Sequence, residues 1–392
     1  MPGTSAMTHH ALTGRERIMA SLRGEETDHV SWAPLIDPYY TAWLATQGYG
    51  GADAVRGALE DREGLWTEEV DALDIPYAIR LVGGDVLERH SPTIRVVEDS
   101  CIVRRSLTRG SEKLESVETP VGSLKTERRY SKEGHTRYIS KYPISSVEDL
   151  KVLQYVMEHT HYEEDFAGFR ERVRVIGDDG IPTSDGPQSP IQHFYMFLCG
   201  VQATTFLLLD HPAEMAECFA VMHQKHLEQY RLVCESPTDV VIDYENTSST
   251  VMSPAFYRQY SEGFINEYAD ICHAAGKLFI THMCGKLSAF TPELRQGRQD
   301  GFDSLCPPTT GDIWASQARI AWGGDKILIG GVEPAALARM DASETRAYVT
   351  RILDEMPTLR RFVFSTGDAT PYGTPVENLR VVADVAANYP WK

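Results

Sequence analysis

The sequence predicts an α/β protein folded as a (β/α)8 barrel, and three observations lead to that class. Short apolar runs of strand length alternate with helical patterns through most of the 392 residues. No glycine-rich dinucleotide fingerprint follows any of these runs, which argues against a doubly wound sheet. Polar groups collect at or just after the expected strand ends: Asp37, Asp178, Asp243, Glu245, His282, Cys284, Cys306, Glu333 and Asp368. A barrel carries its chemistry at the C-terminal strand ends, so one rim would gather them all.

The elements follow in order. Residues 1–12 are polar, include His9 and His10, lack a signal-peptide core, and are expected to be a disordered lead-in to one domain over 13–392. Thr13 with Glu16 three residues on is a capping box that opens the first helix. Residues 30–37 read as a first strand ending in Asp37. From about 87 to 142, polar strand-like runs separated by turn residues predict an antiparallel β insertion with one solvated face. A helix restarts near 144–150 with Ser145 or Ser146 as its cap.

Residues 173–178 read as a strand, followed by a loop rich in Gly, Pro, Ser and Asp from 180 to 190. A helical region covers about 192–234, where Cys199, Cys218 and Cys234 sit in apolar patterns and read as core, as does Cys272 later. Strands are expected at 239–243, 278–281, 302–306, 327–330 and 362–365, with helices between them. Thr374, Pro375 and Glu377 supply cap, first-turn proline and N3 acid for the last helix.

Composition excludes several classes. Apolar residues make up 42% and charged residues 24%, ordinary values for a globular protein. No apolar stretch approaches the roughly 18 residues of a membrane span. The net charge of −18, from 56 acids against 38 bases, argues against nucleic acid as the partner. Seven scattered cysteines show no disulfide framework, which fits a reducing compartment and a cytoplasmic location.

The most chemically pointed motif is Ile280-Thr281-His282-Met283-Cys284-Gly285. An apolar strand after the turn glycine Gly276 ends in His-x-Cys, which puts an imidazole and a thiol where the chain leaves the sheet. Both are good Zn²⁺ ligands, and zinc needs three or four. A buried cysteine beside a hydrogen-bonded histidine is the plainer alternative.

The chain resembles the uroporphyrinogen decarboxylase superfamily. The resemblance rests on Gly14-Arg15-Glu16-Arg17-Ile18-Met19-Ala20-Ser21-Leu22-Arg23-Gly24-Glu25-Glu26-Thr27-Asp28, on Val251-Met252-Ser253-Pro254-Ala255-Phe256-Tyr257, on Gly330-Gly331-Val332-Glu333-Pro334 and on Gly373-Thr374-Pro375-Val376-Glu377-Asn378. Within it, His282-x-Cys284-Gly285 is similar to the zinc motif of the corrinoid (cobalamin) methyltransferases. The stretch Ala33-Pro34-Leu35-Ile36-Asp37-Pro38-Tyr39-Tyr40 lacks the arginine with which true decarboxylases grip substrate carboxylates.

The resemblance implies zinc, cobalamin as co-substrate or on a separate corrinoid protein, a small-molecule methyl donor or acceptor such as a thiol, folate or methoxy compound, and a possible homodimer. The family's second cysteine near the C-terminus is replaced here by Asp368. Either Asp368 or Cys306 completes the metal site with His282 and Cys284. Asp243 and Glu245 fill a further position or act on substrate with Asp37. Ser184, Asp185 and Gln188, in the loop through Pro190, are candidate cofactor or substrate contacts, and Trp32, Tyr39 and Tyr40 could line a planar pocket. A carboxylate in place of a thiolate makes zinc more Lewis acidic, which favours gripping an oxygen substrate, as in demethylation. Remaining alternatives are a metal-free decarboxylase or lyase, a divergent zinc enzyme that activates water or an enolate, and a non-catalytic binding protein.

Overall fold

The computed structural model describes residues 11–50, 74–130 and 137–392. The expected lead-in falls largely outside them. Leu12 is already tied down, its N–H donating to Asp28 at 3.0 Å and its carbonyl accepting from Arg17 at 2.6 Å.

In chain order the strands are β1 (Val86–Glu88), β2 (Ile94–Glu98), β3 (Val103–Arg109), β4 (Glu112–Thr119), β5 (Gly122–Tyr130), β6 (Arg137–Lys141) and β7 (Thr160–Glu164). They continue as β8 (Gly180–Pro182), β9 (Ser184–Gly186), β10 (Val240–Asp243), β11 (Leu278–His282), β12 (Gly301–Leu305), β13 (Ile327–Val332) and β14 (Phe362–Thr366). β9 to β14 form one parallel sheet in sequential order, and β1 pairs parallel with β8. Only Thr183 separates β8 from β9, and its N–H donates to the Glu88 carbonyl at 2.8 Å.

Residues 31–33 lie between the two ends of this run. Ala33 N–H donates to Phe364 O at 2.8 Å, Phe364 N–H to Ser31 O at 2.9 Å, and Asp85 N–H to Trp32 O at 2.7 Å. Side chains alternate across these strands. One face, here called inner, carries Leu87, Ile181, Val240, Ile242, Ile280, Ile327, Ile329 and Val363. The other carries Val241, Phe279, Phe302, Leu328, Phe362 and Phe364 into the core beneath the helices.

Helices form where apolar residues recur every three or four positions. In Ala342–Glu355 the buried set is Thr345, Tyr348, Val349, Ile352 and Leu353, and Asp341 with Glu344 closes a capping box at its start. The first helix, Gly14–Arg23, has the expected Thr13–Glu16 box and sends Ile18 and Leu22 into the inner cluster.

Three expectations are corrected. Residues 173–178 are not a strand. They end the helix Phe166–Ile176, whose buried Phe169 and Ile176 stand at helical spacing, and Gly177 (φ 60) stops it. The strand begins at Gly180, so Asp178 precedes it and leaves the rim set. The antiparallel region starts later than expected, because Leu87 and Glu88 belong to the parallel β1. Its four-stranded sheet runs β3-β4-β5-β6, with β3 exposed throughout and Leu124 of β5 buried where the helix Val147–Glu158 packs. The last helix, Val376–Asn388, has Pro375 at its N-cap, because the Thr374 hydroxyl donates to Pro371 O at 2.8 Å instead of capping.

Candidate metal centre

Above the inner apolar cluster, toward the C-terminal strand ends, the same alternation brings polar side chains inward. His282 follows Ile280 by two residues on β11 and stands in register with Asp303 of β12. Its Nδ1 lies 2.8 Å from Asp303 Oδ2. Arg89, two residues past Leu87, grips the same carboxylate, Nη2 to Oδ1 at 2.7 Å and Nε to Oδ2 at 3.1 Å. Burial alone would raise the Asp303 carboxyl. The Arg89 guanidinium and the His282 bond outweigh it and hold the group well below the usual carboxylate range. Tyr244 also turns inward, its ring stacked on His90 at 4.2 Å and tilted against His282 at 4.8 Å.

One step further out, His282, Cys284 and Asp368 each offer a ligand atom, and these atoms lie within 4.8 Å of one another. The chain around them leaves no room for larger residues. A Cβ on Gly285 would stand 2.4 Å from Thr247 O, and one on Gly367 would stand 2.6 Å from Cys306 Cα. The Cys284 thiol donates to Asn246 Oδ1 at 3.5 Å. Burial first, and then the Asp368 carboxylate, push that thiol up to about 12. The Asp368 segment is stitched to the first strand: Thr366 Oγ1 accepts from Leu35 N–H at 2.9 Å, and Thr370 N–H donates to Leu35 O at 2.9 Å.

The donor set fits Zn²⁺. With Nδ1 held by Asp303, the other ring nitrogen of His282 is left to coordinate, the carboxylate–histidine arrangement of metal sites. A thiol and a carboxylate that face each other half-buried disfavour joint ionisation, and a dication between them removes that conflict.

The profile of the uroporphyrinogen decarboxylase (URO-D) family matches residues 129–389. The chain belongs to this family. Among solved structures, a methyltransferase from Methanosarcina mazei superposes with a TM-score of 0.60 at 16% identity, covering 96% of this chain and 98% of that one. At that identity the likeness speaks for the shared fold. A comparison with curated protein sequences gives no match.

The family member treats its other sequence-predicted residues unequally. Cys306 is outside the cluster, its buried thiol 3.3 Å from Glu333 Oε2, which Thr310 also holds at its other oxygen. Asp37 caps the helix Pro38–Thr46 through Tyr40 N–H at 2.8 Å. Burial, with a smaller push from Asp368, raises it to about 6. It also lines a cavity of about 490 Å³ with Leu35, Arg89 and His90.

Asp243 and Glu245 do not reach the inner face. They continue the outward parity of Val241, toward Tyr230, Tyr257 and Tyr268 on the helices. Glu245 accepts from Ser189 N–H at 2.8 Å and Ser189 Oγ at 2.6 Å, while neither oxygen of buried Asp243 has a hydrogen-bond partner among the described residues. Ser184 also faces outward, 2.7 Å from Thr93 Oγ1. Asp185 faces inward and binds His90 Nδ1 at 2.8 Å. Gln188 donates to Met196 Sδ at 3.8 Å, which also takes Asn246 Nδ2 at 3.2 Å, so it reaches Cys284 only through intermediaries. Trp32 and Tyr40 are core residues, packed on Phe364 and bonded to Thr374 O.

Sequence reasoning missed Arg89, His90, Tyr244 and Asp303. Assigning the chain from 87 to the insertion hid the first two. Asp303 had a signal, a carboxylate inside the apolar run Gly301-Phe302-Asp303-Ser304-Leu305. Tyr244 had one too, standing between two residues whose parity it does not share.

Proposed function

We propose that the chain is a (β/α)8-barrel methyltransferase of the uroporphyrinogen decarboxylase family, with zinc held by His282, Cys284 and Asp368. The observation that carries the reading is the convergence of these three groups, with His282 oriented from behind by Asp303. The backbone bonds that link β14 through residues 31–33 to the entry of β1 support closure of the barrel.

Zinc bound there supplies Lewis-acid activation of a heteroatom that carries or receives a methyl group. The chain's own residues do the rest. Asp303, itself fixed by Arg89, keeps His282 in the coordinating tautomer. Tyr244 and His90 stack into a planar wall beside it. Asp37, raised to about 6 by burial and close enough to Asp368 to feel its charge, would hand a proton to a leaving oxygen or take one back. A single thiolate leaves the site less electron-rich than a two-cysteine site, which favours an oxygen ligand. We therefore read the substrate as a small methoxylated compound and the acceptor as a corrinoid, free or on a partner protein. The seven free thiols suit a cytoplasmic enzyme, and a homodimer suits the family. Among the described residues, no helix is long and apolar enough to cross a membrane. Asp368 at the cysteine's place favours, as a second reading, a zinc enzyme that activates water or an enolate.

The test uses zinc-loaded protein with a methoxylated aromatic and cob(I)alamin. Methylcobalamin should form, and Cys284→Ala should lose both this activity and about one zinc per chain relative to wild type. Unchanged zinc content in Cys284→Ala, or methylation of a thiol with no demethylation, would reject the reading.

A further inference from the structure

A second convergence of metal-ligating groups lies far from the inner face, at the root of the antiparallel sheet. Asp99, Cys101 and His159 each offer a ligand atom, all within 4.8 Å of one another. His159 Nδ1 stands 2.8 Å from Asp99 Oδ2, and His161 Nε2 stands 3.3 Å from Asp99 Oδ1. The backbone builds this meeting. β2 pairs antiparallel with β7, placing Val97 opposite His161, and Asp99 N–H donates to His159 O at 3.0 Å. The chain then turns tightly, Ile102 N–H donating to Asp99 O at 2.9 Å, which brings Cys101 back over the same spot. The Tyr155 ring packs on the His159 ring at 4.2 Å and fixes it from the side.

A simple surface ion pair would bring one imidazole to one carboxylate. Here two imidazoles approach the two oxygens of Asp99, and a thiol completes the group. Two nitrogens, a sulfur and an oxygen are the donor types that a four-coordinate zinc site uses, and thiolate plus carboxylate balance the charge of a dication. We propose that Asp99, Cys101, His159 and His161 form a second zinc site, which clamps the turn before β3 onto the end of the helix Val147–Glu158. The site is structural: it fixes the base of the four-stranded sheet and takes no part in the reaction proposed above.

The test removes the inner centre first. Cys284→Ala is compared with Cys284→Ala/Cys101→Ala and Cys284→Ala/His159→Gln after zinc loading and dialysis against a weak chelator. Elemental analysis should find about one zinc per chain in Cys284→Ala and none in either double variant, with far-UV circular dichroism unchanged. Cobalt(II) in the Cys284→Ala protein should give a thiolate charge-transfer band that vanishes with Cys101→Ala. No zinc in Cys284→Ala, or zinc that survives both second substitutions, would overturn the proposal. The result holds whether or not the inner centre proves to be catalytic, because Cys284→Ala has removed it from every arm.

Discussion

Asp243 shows how far one residue can depart from its expected role. It was legible as a carboxylate at a strand end, but not as one facing away from the rim. Parity decides that, and parity is visible only once the strand's register is known. Burial raises its carboxyl well above the usual range, with Glu245 adding to the push, and Glu245 itself is raised to about 7. A group whose folded pKa is raised stabilises the fold at low pH and loses that contribution as pH rises through the folded value. Stability from this pair should therefore decline from about pH 4 upward through about 7. Asp243→Asn should flatten that decline and raise the urea midpoint at pH 8 relative to wild type. An identical pH slope in the variant would remove the explanation. At the same scale, His282 and Cys284 stood out by ligand chemistry, and Asp368 entered only through the family resemblance, with Cys306 as its alternative. The pairing of Arg89 with Asp303 was not legible, because an ion pair across a sheet leaves no local pattern, even though Asp303 alone stood out inside its apolar run.

At the scale of elements, helices were read well apart from the cap of the last one, and the strand that begins at Gly180 was not. The run Val173-Arg174-Val175-Ile176 has β-branched residues and helical spacing at once, and tertiary burial of Phe169 and Ile176 chose the helix. The true strand is short and begins with a residue that sequence rules count against strands. Its glycine has a steric cause: a Cβ there would stand 1.8 Å from Val86 O. Gly180→Ala must therefore push β8 off β1. We expect it to cost about 3 kcal/mol or more, measured by equilibrium denaturation. A loss below about 0.5 kcal/mol, the range of neutral surface changes, would mean that the two strands do not approach this closely.

For the whole molecule, alternation of strands and helices carried the fold class, and the first strand, expected over 30–37, is shorter than the sequence suggested. It is reduced to residues 31–33, held by a single bridge between Trp32 and Phe364 and a few backbone bonds. Trp32 is 2% exposed and its ring lies 5.6 Å from Phe364. Trp32→Ala should cost about 3–5 kcal/mol, and the loss should be global because this contact ties β14 to residues 31–33, which bond on to the entry of β1. Local fraying of the N-terminal helix alone, seen by hydrogen exchange with an unchanged denaturation midpoint, would show that the sheet does not depend on the join.

The Arg89–Asp303 pair has a consequence for traffic through the protein. Arg89 follows β1 and Asp303 sits on β12, strands that are not neighbours, and both lie just above a buried layer of isoleucine, leucine and valine. Together they make a charged floor. A molecule that enters from the strand ends meets this floor within reach of His282, with the apolar layer beneath it among the described residues. For the methyl transfer proposed above, donor and acceptor would share one doorway.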